Sequence, residues 1–141
     1  MNQKPALELG AILHAAYAAE GAIEARLSEA GLSLAKLMAL KALAEAGESL
    51  PLSQLAARLS CVKSNITQLV DRLEGDGLVS RQADPNDRRA RLASLTASGR
   101  KAVAEGTRLQ KEAERNVLKR LSAAEARQLA ALIEKIGRDG G

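Results

Sequence analysis

Aromatic side chains are almost missing from this chain: Tyr17 is alone among 141 residues, with no Trp and no Phe. Any pocket near it must be walled by Leu, Ala and Met38. A single Cys excludes an internal disulfide. With only one His beside it, a His-rich zinc site is excluded too, and nothing pairs the two as nucleophile and base. The longest uninterrupted apolar runs, 15–19 and 129–133, are five residues each, far short of the ~20 that a membrane-spanning helix needs. There is no GxxxxGK phosphate loop, no strand–helix alternation of a cofactor fold, no internal repeat and no low-complexity segment. The amino-terminal stretch has no charged start, apolar core and cleavage site. These absences disfavour an enzyme, a metal-responsive protein, a membrane protein and a disordered chain. The expectation is a cytoplasmic protein folded as one unit, without a cofactor.

What is present is concentrated. Residues 51–101 hold nine Lys and Arg against five Asp and Glu, while the rest of the chain holds twelve of each, so the net charge of +4 resides in this window. Clustered cations on a compact unit are the footprint of a polyanion binder, because neutralised phosphates release condensed counterions. Inside the window, Leu52, Leu55, Ala56 and Leu59 fall on one side of a short helix entered through Pro51, a residue suited to a first turn. Ser60, Cys61 and Val62 connect it to a second stripe, Ile66, Leu69, Val70 and Leu73. Helices joined so tightly cross sharply. With the stripe inward, Lys63, Ser64, Asn65, Thr67, Gln68 and Arg72 lie on or beside the outer face, where such side chains bond phosphates and base edges.

Glycines at 75 and 77 stop the second helix. A strand over 79–83 meets the turn Asp84-Pro85-Asn86-Asp87, and a return strand follows over 91–95. Leu92, Ala93 and Leu95 alternate poorly, so the return rests on the turn chemistry. Arg88, Arg89 and Arg91 crowd the tip and the return. Helix, short turn, helix and hairpin together outline a winged helix-turn-helix.

On the amino-terminal side, Ile12, Ala16, Ala19, Ile23 and Leu27 recur as on one helix over 7–27, and Gly31 followed by Ser33 reads as a stop and restart. A helix over 34–46 presents Leu37, Leu40 and Leu43, and Gly47 ends it. Beyond the hairpin, Thr96 caps a long helix to about residue 121 with Val103, Gly106, Leu109, Ala113 and Val117 inward. Ser122 and Glu125 have capping-box spacing, and a last helix carries Leu129, Leu132, Ile133 and Ile136. Folded alone, these terminal stripes leave a large apolar surface, which a second copy would bury.

Over QLVDRLEGDGLVSR, then DPNDRRARLASLT, then the long helix that follows, the chain resembles the MarR family of bacterial transcriptional regulators, and the likeness runs through nearly all of its length. The resemblance implies a mainly α fold: a winged helix-turn-helix over 34–96 with a small β-hairpin wing, and long dimerisation helices over 1–33 and 97–141. It also implies a homodimer on a pseudo-palindromic operator, with recognition helices in successive major grooves and a wing arginine in the minor groove. On DPNDRR that role falls to Arg89, with Asp87 bracing it and Arg88 near phosphates. Two positions depart from the family pattern. Val62 stands where relatives commonly have a capping Ser or Thr, so that Ser60 or Ser64 must compensate. Gln68 stands where many carry Arg, and it reads adenine without adding charge.

The expected function is a dimeric, sequence-specific regulator bound to double-stranded DNA, a repressor relieved by a small ligand. Lys63 and Arg72 hold phosphates, Ser64, Asn65, Thr67 and Gln68 approach base edges, and Arg88, Arg89 and Arg91 supply the wing. Three alternatives stay open. The first is a winged-helix interaction module that has lost DNA binding, although it would have no need of so many cations around one surface. The second is a thiol switch at Cys61, set against the plainer reading of a small apolar plug in the turn; thiol-sensing relatives carry their Cys on the first helix. The third concerns His14 and Tyr17, three apart on the first helix, which with Met38 either line an effector pocket or are ordinary interface side chains.

Overall fold

The computed structural model describes residues 9–60 and 63–137. In chain order the elements are α1 (Leu9–Ser28), α2 (Leu34–Glu45), β1 (Ser49–Pro51), α3 (Leu52–Arg58), α4 (Lys63–Gly75), β2 (Val79–Asp84), β3 (Asp87–Leu95), α5 (Ala97–Leu118) and α6 (Ala123–Gly137). The fold is mainly α with one three-stranded antiparallel sheet, in the order β1-β3-β2. Its core gathers Leu27, Leu37, Leu40, Leu43, Leu55, Ile66, Val70 and Leu73, all fully buried. The stripe of α4 thus packs where its periodicity demands, against α2 and α3. No helix among the described residues is long and apolar enough to cross a membrane.

Helix ends are set by local chemistry. Ser33 Oγ accepts from Lys36 N–H at 3.1 Å to open α2, and Thr96 Oγ1 accepts from Gly99 N–H at 3.0 Å to open α5. Ser122 and Glu125 form a reciprocal box at 2.9 and 3.1 Å ahead of α6. At the end of α4, Gly77 takes φ +75°, and Leu78 N–H reaches back to Leu73 C=O at 2.9 Å, a Schellman closure that turns the chain into β2.

Two glycines let α5 approach the rest of the molecule. A Cβ on Gly99 would stand 2.1 Å from the Leu78 carbonyl oxygen, and one on Gly106 would meet Leu37 Cδ1 at 2.7 Å and Leu32 Cδ1 at 2.9 Å. Thr96 seals the same joint, since its hydroxyl donates to Gly77 C=O at 2.7 Å. The start of α5 is therefore locked to the turn between α4 and β2.

Several sequence expectations change here. Strand β1 was not anticipated: three residues are too few to show alternation. Pro51 belongs to that strand, opposite Leu92, and sits before the first turn of α3 as its N-cap rather than within it; an edge strand tolerates the missing N–H. The return strand begins at Asp87, not at 91, and it is central, paired along both edges; Leu92 is half-buried while Ala93 and Leu95 are buried. Val117, expected inward, is 41% exposed, near the end of α5, where among the described residues the neighbouring Leu118 is also 41% exposed. The remaining inward residues of α5 hold their places, with Gly106, Leu109 and Ala113 buried and Val103 packed against the core.

Candidate nucleic-acid interface

Helix α4 divides into three sectors. Ile66, Val70 and Leu73 face the core. By the 3.6-residue period, Asn65, Gln68 and Arg72 share an outward stripe, and Thr67, Asp71 and Glu74 share a flank beside it. Asn65, Thr67, Gln68 and Arg72 are all exposed. Lys63 and Ser64 belong to the first turn of the helix, while Cys61 and Val62 lie outside the described residues.

The wing rises from the C-terminal end of α4, opposite its first turn. Its ladder pairs Val79 with Leu95 through Ala83 with Arg91, then jumps so that Asp84 pairs with Asp87. Arg88, Arg89 and Ala90 are left without counterparts on β2, and a bulge of this kind re-aims side chains away from the sheet. The turn itself is only Pro85 and Asn86, so the three wing arginines lie on β3 rather than at the tip. Asp84 Oδ1 accepts from Asn86 N–H at 2.9 Å, and Asp87 Oδ1 accepts from Arg89 N–H at 2.9 Å. Asp87 thus braces Arg89 through the main chain. Arg88, Arg89 and Arg91 are exposed.

Every acid of the basic window has a partner inside the protein. Asp71 and Glu74 are both bonded by Arg81 of β2, whose Nη2 reaches Asp71 and, at 3.2 Å, Glu74 Oε1; Arg81 N–H also donates to Glu74 Oε2 at 3.2 Å. Asp76 pairs with Lys36 at 2.8 Å, and Asp84 and Asp87 accept from the wing backbone. The hydrogen bond from the Arg81 guanidinium is the main cause holding the Glu74 carboxyl below its ordinary range, with Arg81 N–H next and the charges of Arg81 and Arg91 adding to it. The same bond, donated to Glu74, is the main cause raising Arg81. Arg72, Arg88 and Arg89, by contrast, make no ion pair among the described residues. Each acid thus has a partner within the chain, while Arg72, Arg88 and Arg89 stand exposed.

Arg81 is the residue that sequence reasoning passed over. Its signal was present in two acids three apart on a helix, followed across a glycine turn by an Arg in the next strand. Of the other sequence-selected group, His14, Tyr17 and Met38 are each exposed, Tyr17 at 69% and Met38 at 48%.

Residues 32–90 match the MarR family. The HTH-type transcriptional repressor Rv2887 of Mycobacterium tuberculosis is 31% identical over 117 residues, which are 83% of this chain and 84% of that protein. Among solved structures, a probable transcriptional regulator from Pseudomonas aeruginosa aligns with a TM-score of 0.81 and 30% identity over 92% of this chain and 96% of its own. A mutant MarR from E. coli, complexed with operator DNA, aligns with a TM-score of 0.80 and 25% identity over 91% of this chain and 92% of its own. With wing, helix pair and relatives in agreement, the chain belongs to the MarR family of transcriptional regulators.

Proposed function

We propose that the protein is a homodimeric repressor that occupies a pseudo-palindromic operator in double-stranded DNA and is released by a small ligand. The observation that carries this reading is the asymmetry of charge: Asp71, Glu74, Asp76, Asp84 and Asp87 are all engaged internally, while Arg72, Arg88 and Arg89 are exposed and make no ion pair among the described residues. A surface with its acids tied to internal donors and its bases exposed suits a phosphate backbone. Lys63 and Arg72 hold phosphates, with Arg88 and Arg91 supporting the wing contact. Ser64, Asn65, Thr67 and Gln68 address base edges in the major groove. Arg89, fixed by Asp87, enters the neighbouring minor groove.

Residues 34–96 form the reading module, and 1–33 with 97–141 form the pairing helices. Ten of the eleven large apolar side chains exposed among the described residues belong to α1, α5 and α6, a surface that a second copy would cover. Pairing would also enclose the region of His14, Tyr17 and Met38, where the effector is placed. The repressor name of the mycobacterial relative and the operator in the E. coli complex support the same reading.

Selection of bound duplexes from a random pool, followed by mobility shifts over a salt series, tests the proposal. The expected result is an imperfect palindrome with half-site centres about 10 bp apart and an affinity that falls steeply with salt. A monomer in solution, or no shift of random duplex at low salt, overturns it.

A further inference from the structure

Asp71 and Glu74 place two carboxylates beside the outward stripe of α4, where a polyanion reader tolerates them least. Their side chains are 52% and 42% exposed, and the stripe of Asn65, Gln68 and Arg72 is the adjoining sector of the same helix. A phosphate held at that stripe would feel both charges if it came within the ~8 Å over which charge acts at physiological salt. One guanidinium answers both acids: Arg81, 26% exposed, is bonded to Asp71 and Glu74 from a single Nη2.

We propose that Arg81 is the counter-ion of the recognition helix, setting the charge that α4 presents to a nucleic acid without touching the duplex itself. This rests on the reading of α4 and the wing as a DNA-binding surface. The work of Arg81 is electrostatic rather than mechanical. The wing root is already fixed by the β2–β3 ladder, by the Leu78 to Leu73 closure and by Arg81 N–H on Glu74. Exposed ion pairs contribute little to stability, so losing this one should appear in binding and hardly in melting.

The experiment compares wild type, Arg81→Gln, Arg81→Lys and the charge-neutral triple variant Arg81→Gln with Asp71→Asn and Glu74→Gln, using a duplex recovered by selection. Arg81→Gln is expected to bind on the order of tenfold more weakly, because two like charges then face the phosphates, with an unchanged melting temperature. The triple variant, which lacks the net −1 that the three wild-type side chains carry together, should recover at least to wild-type binding, and Arg81→Lys should bind nearly as wild type does. A direct phosphate contact would behave differently: the triple variant would stay as weak as the single one, with a salt slope lower by about one. That result, or an Arg81→Gln that binds normally, overturns the proposal.

A readout without DNA separates this inference from the functional reading. In Arg81→Gln the Glu74 carboxyl, followed by NMR, should titrate nearer to its ordinary range. Wild type that shifts no duplex sinks the DNA reading, and an unmoved Glu74 sinks the counter-ion whatever the DNA result.

Discussion

The reading module and the terminal helices are incomplete in opposite ways. Around α4 and the wing, the apolar side chains are closed into the core while cations stand open. Along α1, α5 and α6 the pattern inverts. Arg108 is shared between Glu105 and Glu112, Arg26 between Glu29 and Glu112, and α6 has no buried residue at all. What a surface leaves unsatisfied states what it fits: exposed cations suit phosphates, and an exposed apolar stripe suits another apolar stripe. The two regions meet closely at Thr96 and Gly99 and again where Gly106 of α5 packs against Leu37 of α2.

The sharpest way to break this contrast is to charge the apolar side. Leu132 and Ile133 are 50% and 59% exposed, so replacing both with Glu costs the single chain no core packing. If the helices pair, the double variant should sediment as a monomer and lose ~100-fold or more in operator affinity, because the two half-sites are no longer linked. A variant that stays dimeric and binds normally would place the interface elsewhere.

Next in size is a wedge in the joint. Gly99→Ala puts a methyl group against the Leu78 carbonyl oxygen, and backbone cannot step aside as a flexible side chain can. The expected destabilisation is roughly 3 kcal/mol, seen as a drop in the denaturant midpoint. Thr96→Ala at the same joint removes a cap and should cost about 1 kcal/mol. Equal effects from the two would show that the close approach at Gly99 is softer than its geometry implies.

How much of this could be read from the residues depends on how far apart the cause and its effect lie. The helix pair was legible because Ile66, Val70 and Leu73 repeat within one turn of each other, and the caps at Thr96 and Ser122 because their partners sit three residues away. Strand β1 was not, since Ser49, Leu50 and Pro51 become a strand only by lying along β3. The bulge at Arg88 to Ala90 was hidden for the same reason: register is a relation between two strands. Val117 misled because its stripe continues after its neighbours end. Of the site, the outward cations were legible from periodicity, but the neutralising role of Arg81 was not, because it joins a helix to the strand beyond the turn.

A smaller effect is expected at the wing. Arg89 is exposed on the bulged part of β3 and supports no core, so Arg89→Ala should leave the melting temperature unchanged and weaken operator binding by ~1 to 3 kcal/mol. Asp87→Ala frees the Arg89 main chain and should give a milder loss in the same direction. Should Asp87→Ala prove the worse of the two, the brace would matter for more than Arg89.

The smallest expected effect is in acid, and it compares the two regions directly. The Glu112 carboxyl is held below its ordinary range chiefly by the hydrogen bond from Arg26, with Arg108 adding to it. Glu105 is lowered mainly by Arg108, Glu74 mainly by Arg81, and Glu125 mainly by the Ser122 N–H. A carboxyl whose pKa is lower when folded binds its proton more readily in the unfolded chain. Its stabilisation is therefore complete above the ordinary glutamate range and disappears as the pH falls through the lowered folded value. All four groups are open to solvent, so each share is small and shrinks with added salt. Thermal melts from neutral to acid pH should show a shallow loss that Glu112→Gln and Glu74→Gln each reduce slightly. Because one acts at the contact between α1 and α5 and the other inside the reading head, their effects should add. A double variant no flatter than either single one would mean that charge on one side of the joint is felt on the other.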